Sequence, residues 1–146
     1  MNISSKGEYG LRALFDLAQR YGNDPVTSAG IATRQQIPEA YLHQLLITLR
    51  KAGLVRSVRG PKGGHELAYP PDRITLADAV IALEGGYSPV ADLDRRPSLD
   101  EPAEAEILRD VWRQVDAVIG QVLESTTLDD LCQRKLAHRQ QIMYYI

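Results

Sequence analysis

Cysteine is nearly absent from this sequence: Cys132 is the only one among 146 residues. A lone thiol cannot close an intrachain disulfide, and it fits a reducing, cytoplasmic setting. Long apolar runs are missing too. None approaches the ~20 residues that span a bilayer, and the opening Met1-Asn2-Ile3-Ser4-Ser5-Lys6-Gly7-Glu8 has no apolar stretch of the kind a secretory signal needs. No catalytic set stands out either: there is no nucleophile beside a base, no phosphate-binding P-loop and no dinucleotide fingerprint. Cys132 and His138 lie off a common helical face, which argues against a metal pair. An enzyme is not expected. Internal repeats and low-complexity tracts are absent as well. What remains is an ordinary globular composition, 44% hydrophobic and 25% charged, enough for one compact domain and an appended element.

Net charge is only -2, but it is unevenly spread. Residues 1–70 hold nine Lys/Arg against five Asp/Glu, whereas residues 71–146 hold eight against fourteen. Between positions 34 and 62 stand Arg34, Arg50, Lys51, Arg56, Arg59 and Lys62 with a single acid, Glu39. A local basic face suits phosphate contact, and the net charge averages it away.

Hydrophobic spacing places the elements. Ser5-Lys6-Gly7-Glu8 has the form of a helix capping box, with Leu14, Leu17, Ala18 and Tyr21 following at helical spacing and Gly22-Asn23-Asp24-Pro25 as a stop. Thr27 is suited to cap a short second helix carrying Ile31 and Ala32. Pro38 suits the first turn of a third helix, whose Leu42, Leu45, Leu46 and Leu49 fall on one face. The opposite face carries Glu39, Ala40, His43, Gln44 and Lys51. After Gly53, residues 54–58 read as a strand and residues 66–69 as its antiparallel partner, joined by the glycine-rich tip Arg59-Gly60-Pro61-Lys62-Gly63-Gly64-His65. Thr75-Leu76-Ala77-Asp78 caps a fourth helix with Val80 and Leu83. Residues 85–102 read as an acidic loop, and a long helix follows over about 103–124. Its apolar positions Ile107, Leu108, Val111, Val115, Val118, Ile119, Val122 and Leu123 cover more than one face. Thr127-Leu128-Asp129-Asp130 caps a last helix.

Three helices and a basic hairpin form the order of a winged helix-turn-helix. In that arrangement the N-terminal part of the recognition helix meets base edges in the major groove. Gln44 can pair bidentately with adenine, and His43 can donate to guanine or a phosphate. Arg59 and Lys62 at the wing tip can reach phosphates or the minor groove, and His65 is expected on the same surface. The expected fold is mainly α with a small β-hairpin: residues 1–84 as the winged helix-turn-helix domain, 85–102 as the acidic loop, and 103–146 as dimerisation helix and C-terminal helix.

Together these segments resemble the Rrf2 family of bacterial regulators, the group that includes IscR- and NsrR-like proteins. The opening Ile3-Ser4-Ser5-Lys6-Gly7-Glu8-Tyr9-Gly10-Leu11-Arg12-Ala13-Leu14 is similar to the family's start, although the position of Glu8 is often basic there. Tyr41-Leu42-His43-Gln44-Leu45-Leu46 resembles the recognition helix, with His43 where Glu is common. Ser57-Val58-Arg59-Gly60-Pro61-Lys62-Gly63-Gly64 resembles the wing, and Ser125-Thr126-Thr127-Leu128-Asp129-Asp130-Leu131 the end of the dimerisation helix. The resemblance implies DNA contacts at Lys6, Tyr9, Ala40, Tyr41, His43, Gln44, Arg59, Gly60, Lys62 and Gly63. It also implies homodimer pairing through Ile107, Val111, Val115, Val118 and Val122, on a pseudo-palindromic operator that the protein represses.

The chain departs from many members at one point. They hold an iron–sulfur cluster with three cysteines before the long helix, whereas here Tyr87 to Trp112 contains none and Glu106 lies near the last of those positions. No cofactor and no metal are therefore expected. Cys132 reads first as a small packed residue, with redox sensing as the alternative. Trp112 and Tyr144-Tyr145 read as packing residues at the dimer interface and C-terminus. Two other readings stay open: a winged-helix module that binds a protein partner, and a sensor whose acidic loop or Cys132 responds to an effector.

Overall fold

The computed structural model describes residues 2–88, 90 and 92–144. Its elements are α1 (Ser5–Gln19), α2 (Ser28–Gln35), α3 (Glu39–Lys51), β1 (Val55–Val58), β2 (Gly64–Leu67), a 3-10 turn over Pro71–Arg73, α4 (Leu76–Glu84), α5 (Ala103–Ser125) and α6 (Leu128–Tyr144). The fold is mainly helical with one antiparallel hairpin, as the sequence pattern implies. Ala13, Leu14 and Leu17 of α1, Ile31 of α2 and the four leucines of α3 are buried together with Val55, Leu67, Ile74, Ala79, Leu83 and Leu128. Burying each of the α3 leucines contributes roughly 1.5–3 kcal/mol. That orients α3 with its polar side outward. Tyr21, spaced as if to join this stripe, is instead 45% exposed, because α1 ends at Gln19 and the chain turns away.

Helix ends follow side-chain chemistry, with one correction. Thr27 accepts from the Gly30 amide at 3.1 Å. Thr75 and Asp78 form a reciprocal capping box, and Thr127 and Asp130 exchange the same pair of bonds at 2.9 and 3.1 Å. At α1 the cap is Ser4, not Ser5: its hydroxyl accepts from the Gly7 amide. The carboxylate expected from Glu8 comes from Glu84 at the end of α4, which accepts from the Ser4 amide at 3.0 Å and the Ser4 hydroxyl at 2.6 Å. A tertiary partner took the place of a local one, so the helix start moved by one residue. These bonds hold the Glu84 carboxyl below its usual range, the Ser4 hydroxyl first among the causes.

The hairpin is also shifted. Val55 pairs with Leu67 and Val58 with Gly64, so β2 begins two residues earlier than expected and the tip shrinks to residues 59–63. Gly64 and His65 are strand, not loop. The reason lies outside the hairpin: Val26 exchanges backbone hydrogen bonds with His65 at 2.8 and 2.7 Å, making a third, short rung. A Cβ on Gly64 would stand 2.5 Å from the Val26 carbonyl oxygen, so only glycine permits that approach.

Between α2 and α3 the chain reverses at Gln36, whose φ of 54° is left-handed and ends α2. The α5–α6 junction is tied back to α4: the Leu76 amide donates to the Thr126 carbonyl at 2.8 Å, and the Leu128 amide to the Ile74 carbonyl at 2.9 Å. α6 then lies along α1, while α5 packs only part of its surface, against α4. Among the described residues no helix is long and apolar enough to cross a membrane. Tyr144 is largely exposed, and Tyr145 lies outside the described residues.

Candidate nucleic-acid interface

Because Leu42, Leu45, Leu46 and Leu49 are fixed in the core, α3 turns Ala40, His43 and Gln44 to solvent. The Gln44 amide makes no hydrogen bond among the described residues, so its donor and acceptor stay available. His43 Nε2 lies 4.0 Å from Glu39 Oε1, one turn back on the same exposed face. The N-terminal half of the helix therefore offers polar side chains and the positive end of the helix dipole.

The cations of the wing and of the end of α3 fall into two groups. Arg56 pairs across the strands with Glu66 at 2.7 Å, and Arg50 donates to the Ser57 hydroxyl at 2.9 Å, joining α3 to β1. Arg59 and Lys62, at the exposed tip, have no ion-pair or hydrogen-bond partner among the described residues, which leaves both charges unspent. Gly60 adopts a φ of 114°, and a Cβ on Gly63 would stand 2.3 Å from the Val58 carbonyl, so these two glycines shape the tip. His65 is half-buried beside Ser57, with Nδ1 3.5 Å from its hydroxyl oxygen. Burial first, then the charges of Arg50 and His43, push its pKa below 6.5.

α1 supplies the remaining expected residues. Lys6 is exposed on its first turn. Tyr9 is half-buried and meets Tyr41 of α3 edge to face, with ring centroids 5.7 Å apart. The start of α1 is thereby keyed to the start of the recognition helix.

A second feature escaped the sequence reading. Asp16 is fully buried in α1, and its carboxylate accepts from Arg34 twice at 2.9 Å, from Gln35 at 3.1 Å and from Arg20 at 3.2 Å. Arg34, counted among the basic residues of 34–62, is committed to this lock between α1 and α2 and is not free for phosphate. The bond to Asp16 raises its already high pKa. One signal was available: Asp16 interrupts the apolar stripe between Leu14 and Leu17.

On α5 the expected pairing residues lie outward. Ile107, Val118 and Val122 are 63%, 61% and 57% exposed, Val111 is exposed and Val115 half-buried. Trp112 is exposed beside them. At the start of the helix Glu106 accepts from Arg113 at 3.1 Å and Arg109 at 3.2 Å, which holds its carboxyl below the usual range. Cys132 is half-buried against the core, and burial, with Asp129 second, pushes its thiol pKa up.

A buried helix presenting an open polar face, followed by a hairpin with two unpaired cations, defines a winged helix-turn-helix transcriptional regulator. The family model for Rrf2, described as an iron-dependent transcriptional regulator, matches residues 3–134, and the chain belongs to the Rrf2 family. It is 40% identical to the HTH-type transcriptional regulator CymR of Bacillus subtilis over 146 residues, covering all of both chains. The solved structure of CymR, the global cysteine regulator of B. subtilis, matches with a TM-score of 0.78 at 40% identity, over 92% of this chain and 98% of that one. T. potens IscR matches with a TM-score of 0.75 at 40% identity, over 92% and 88% of the two chains. The protein is an HTH-type, DNA-binding transcriptional regulator and not an enzyme.

The family's description points to iron, which the donors present here do not suit. The segment from Tyr87 to Trp112 offers no thiolate, the ligand iron–sulfur clusters require. Glu106 is occupied by two arginines. Among the described residues no three His, Cys, Asp or Glu side chains are grouped to hold a metal ion.

Proposed function

We propose that the chain acts in the cytoplasm as a homodimeric repressor on a pseudo-palindromic operator, without an iron–sulfur cluster. Residues 1–84 serve as the DNA-binding unit, and the long helix of 103–146 pairs two chains. The observation that carries this reading is the pairing of an open Gln44 amide on a rigid helix with unpaired Arg59 and Lys62 on the wing. Gln44 and His43 face base edges, while Arg59, Lys62 and the backbone at Gly60 and Gly63 follow phosphates or the minor groove. Lys6 and Tyr9 at the start of α1 and Ala40 and Tyr41 on the first turn of the recognition helix contact the DNA beside them. The exposed apolar stripe of α5 supports pairing, since an apolar face of that extent gains by being covered.

Selection of bound fragments from genomic DNA by protein prepared without oxygen tests the proposal. A colourless protein that enriches fragments sharing two related half-sites, and retards them more weakly as salt rises, is the expected result. Stoichiometric iron and sulfide, or enrichment without any shared sequence, contradicts it.

A further inference from the structure

We propose that the groove between α1 and α6 binds a small amphipathic carboxylate, and that its occupation reaches the recognition helix through Arg12, Tyr9 and Tyr41. The second half rests on the DNA-binding reading; the first does not.

The groove is a cavity of about 450 Å³, within the range of small-molecule sites. Phe15 and Leu131 give it an apolar floor, and Arg12, Arg134, Lys135 and His138 stand around it. No carboxylate lines it, although residues 71–146 carry fourteen acids against eight Lys/Arg. Lys135 Nζ donates only to the neutral side-chain oxygen of Gln19. Asp130, one turn before Arg134, accepts from the Thr127 amide and feels the Arg134 charge without forming an ion pair with it among the described residues.

Arg12 is the decisive group. Its Nε is buried with no hydrogen-bond partner, and none of its five donors meets an acceptor among the described residues. Buried polar groups left so are rare, and each calls for an explanation. Asp16 stands one turn along the same helix, but Arg20, Arg34 and Gln35 saturate it. The guanidinium rests on the Tyr9 ring at 4.7 Å from its centroid. A carboxylate in the groove would offer the two acceptors a guanidinium fork matches, while its apolar part covers Phe15 and Leu131. A duplex phosphate would satisfy the charge and leave that floor bare, which favours a small molecule.

Transmission follows from the contacts. Arg12 lies on Tyr9, and Tyr9 meets Tyr41 edge to face on the first turn of α3. A carboxylate that draws Arg12 into the groove takes the cation off the Tyr9 ring and frees the Tyr9–Tyr41 pair. The three residues before Gln44 then lose part of their support.

The test uses the full ¹⁵N-labelled chain with 3-phenylpropionate, octanoate and the neutral 3-phenylpropanamide. Both acids should shift amide signals at Arg12, Phe15 and Leu131, with the amide at least about tenfold weaker, as expected for a lost charge-assisted pair. The double variant Arg134→Gln/Lys135→Gln, at an exposed and a half-buried position of α6, should weaken the acids and leave the amide unchanged. No shifts at these residues up to about 10 mM, well above a millimolar dissociation constant, overturn the site. Equal binding of acid and amide overturns its charge selectivity. In a second arm, 3-phenylpropionate should change affinity for a selected operator fragment at least about threefold in the native chain and not in Arg12→Gln. Ligand binding with unchanged operator affinity overturns the transmission. A native chain that ignores the operator without ligand is a failure of the DNA-binding reading, seen separately from the shifts. If Arg12→Gln lowers the salt slope of DNA binding and the acids leave the groove unperturbed, Arg12 is a phosphate contact and the proposal falls.

Discussion

Under the proposed reading, Gln44 and Lys62 make different demands on DNA because of what holds them. Gln44 stands on a helix anchored by four buried leucines, so the backbone that carries its side chain is fixed in place. Lys62 stands on a short turn between strands, where a point charge follows whichever phosphate is near. Gln44→Ala should therefore cost about 1–3 kcal/mol of discrimination at one operator position, read from isotherms on single-base variants. Lys62→Ala should weaken all sequences alike and reduce the salt slope by about one unit. Equal losses on operator and random DNA for Gln44→Ala would remove it from base reading. His65 has a different consequence. Its folded pKa lies below the unfolded value near 6.5, so the unfolded chain binds the extra proton first. The stability this neutral histidine contributes is present above about pH 6.5 and is lost as pH falls through and below it. Melting temperature should drop between about pH 7 and 5, and the drop should be shallower in His65→Gln. Equal slopes would show that His65 does not carry the effect.

At the scale of elements, much was legible because it is local. The leucine spacing of α3, the threonine–aspartate caps of α4 and α6 and the long apolar helix α5 each follow from residues within one or two turns. What was misplaced depends on distant partners. Ser4 caps α1 because Glu84, eighty positions away, accepts from it. β2 starts at Gly64 because Val26 pairs with His65. The wing's free cations were legible from the glycine-rich tip, but the commitment of Arg34 was not, since its partner Asp16 looks like a flaw in an apolar stripe. This lock and the exposed pair of β1 and β2 give a contrast. Arg34→Met removes two of the four side-chain hydrogen bonds that the buried Asp16 carboxylate accepts, leaving those from Arg20 and Gln35, and should cost about 1.5–3 kcal/mol, as losing hydrogen bonds to a charged group does. Arg56→Met removes a partner of Glu66 from the surface and should cost below about 1 kcal/mol. Urea unfolding of both variants checks the order, and a reversed ranking would contradict the role of Asp16.

For the whole molecule, the proposed pairing of two chains rests on the α5 stripe. Its apolar residues contact little within one chain, and two related recognition helices need half-sites about one helical turn apart, or a multiple of it. Val115→Asp should put a charge into the seam and yield monomers with weak operator binding, measured by sedimentation. A native chain that stays monomeric at micromolar concentration would contradict pairing. The proposed function stands on sequence-specific DNA binding by this helix and wing. Its most direct test is a competition isotherm at one fixed salt concentration, with a selected operator fragment against random duplex of equal length. The expected result is a preference of about a thousandfold or more for the operator. Equal affinity for the two duplexes would contradict the claim.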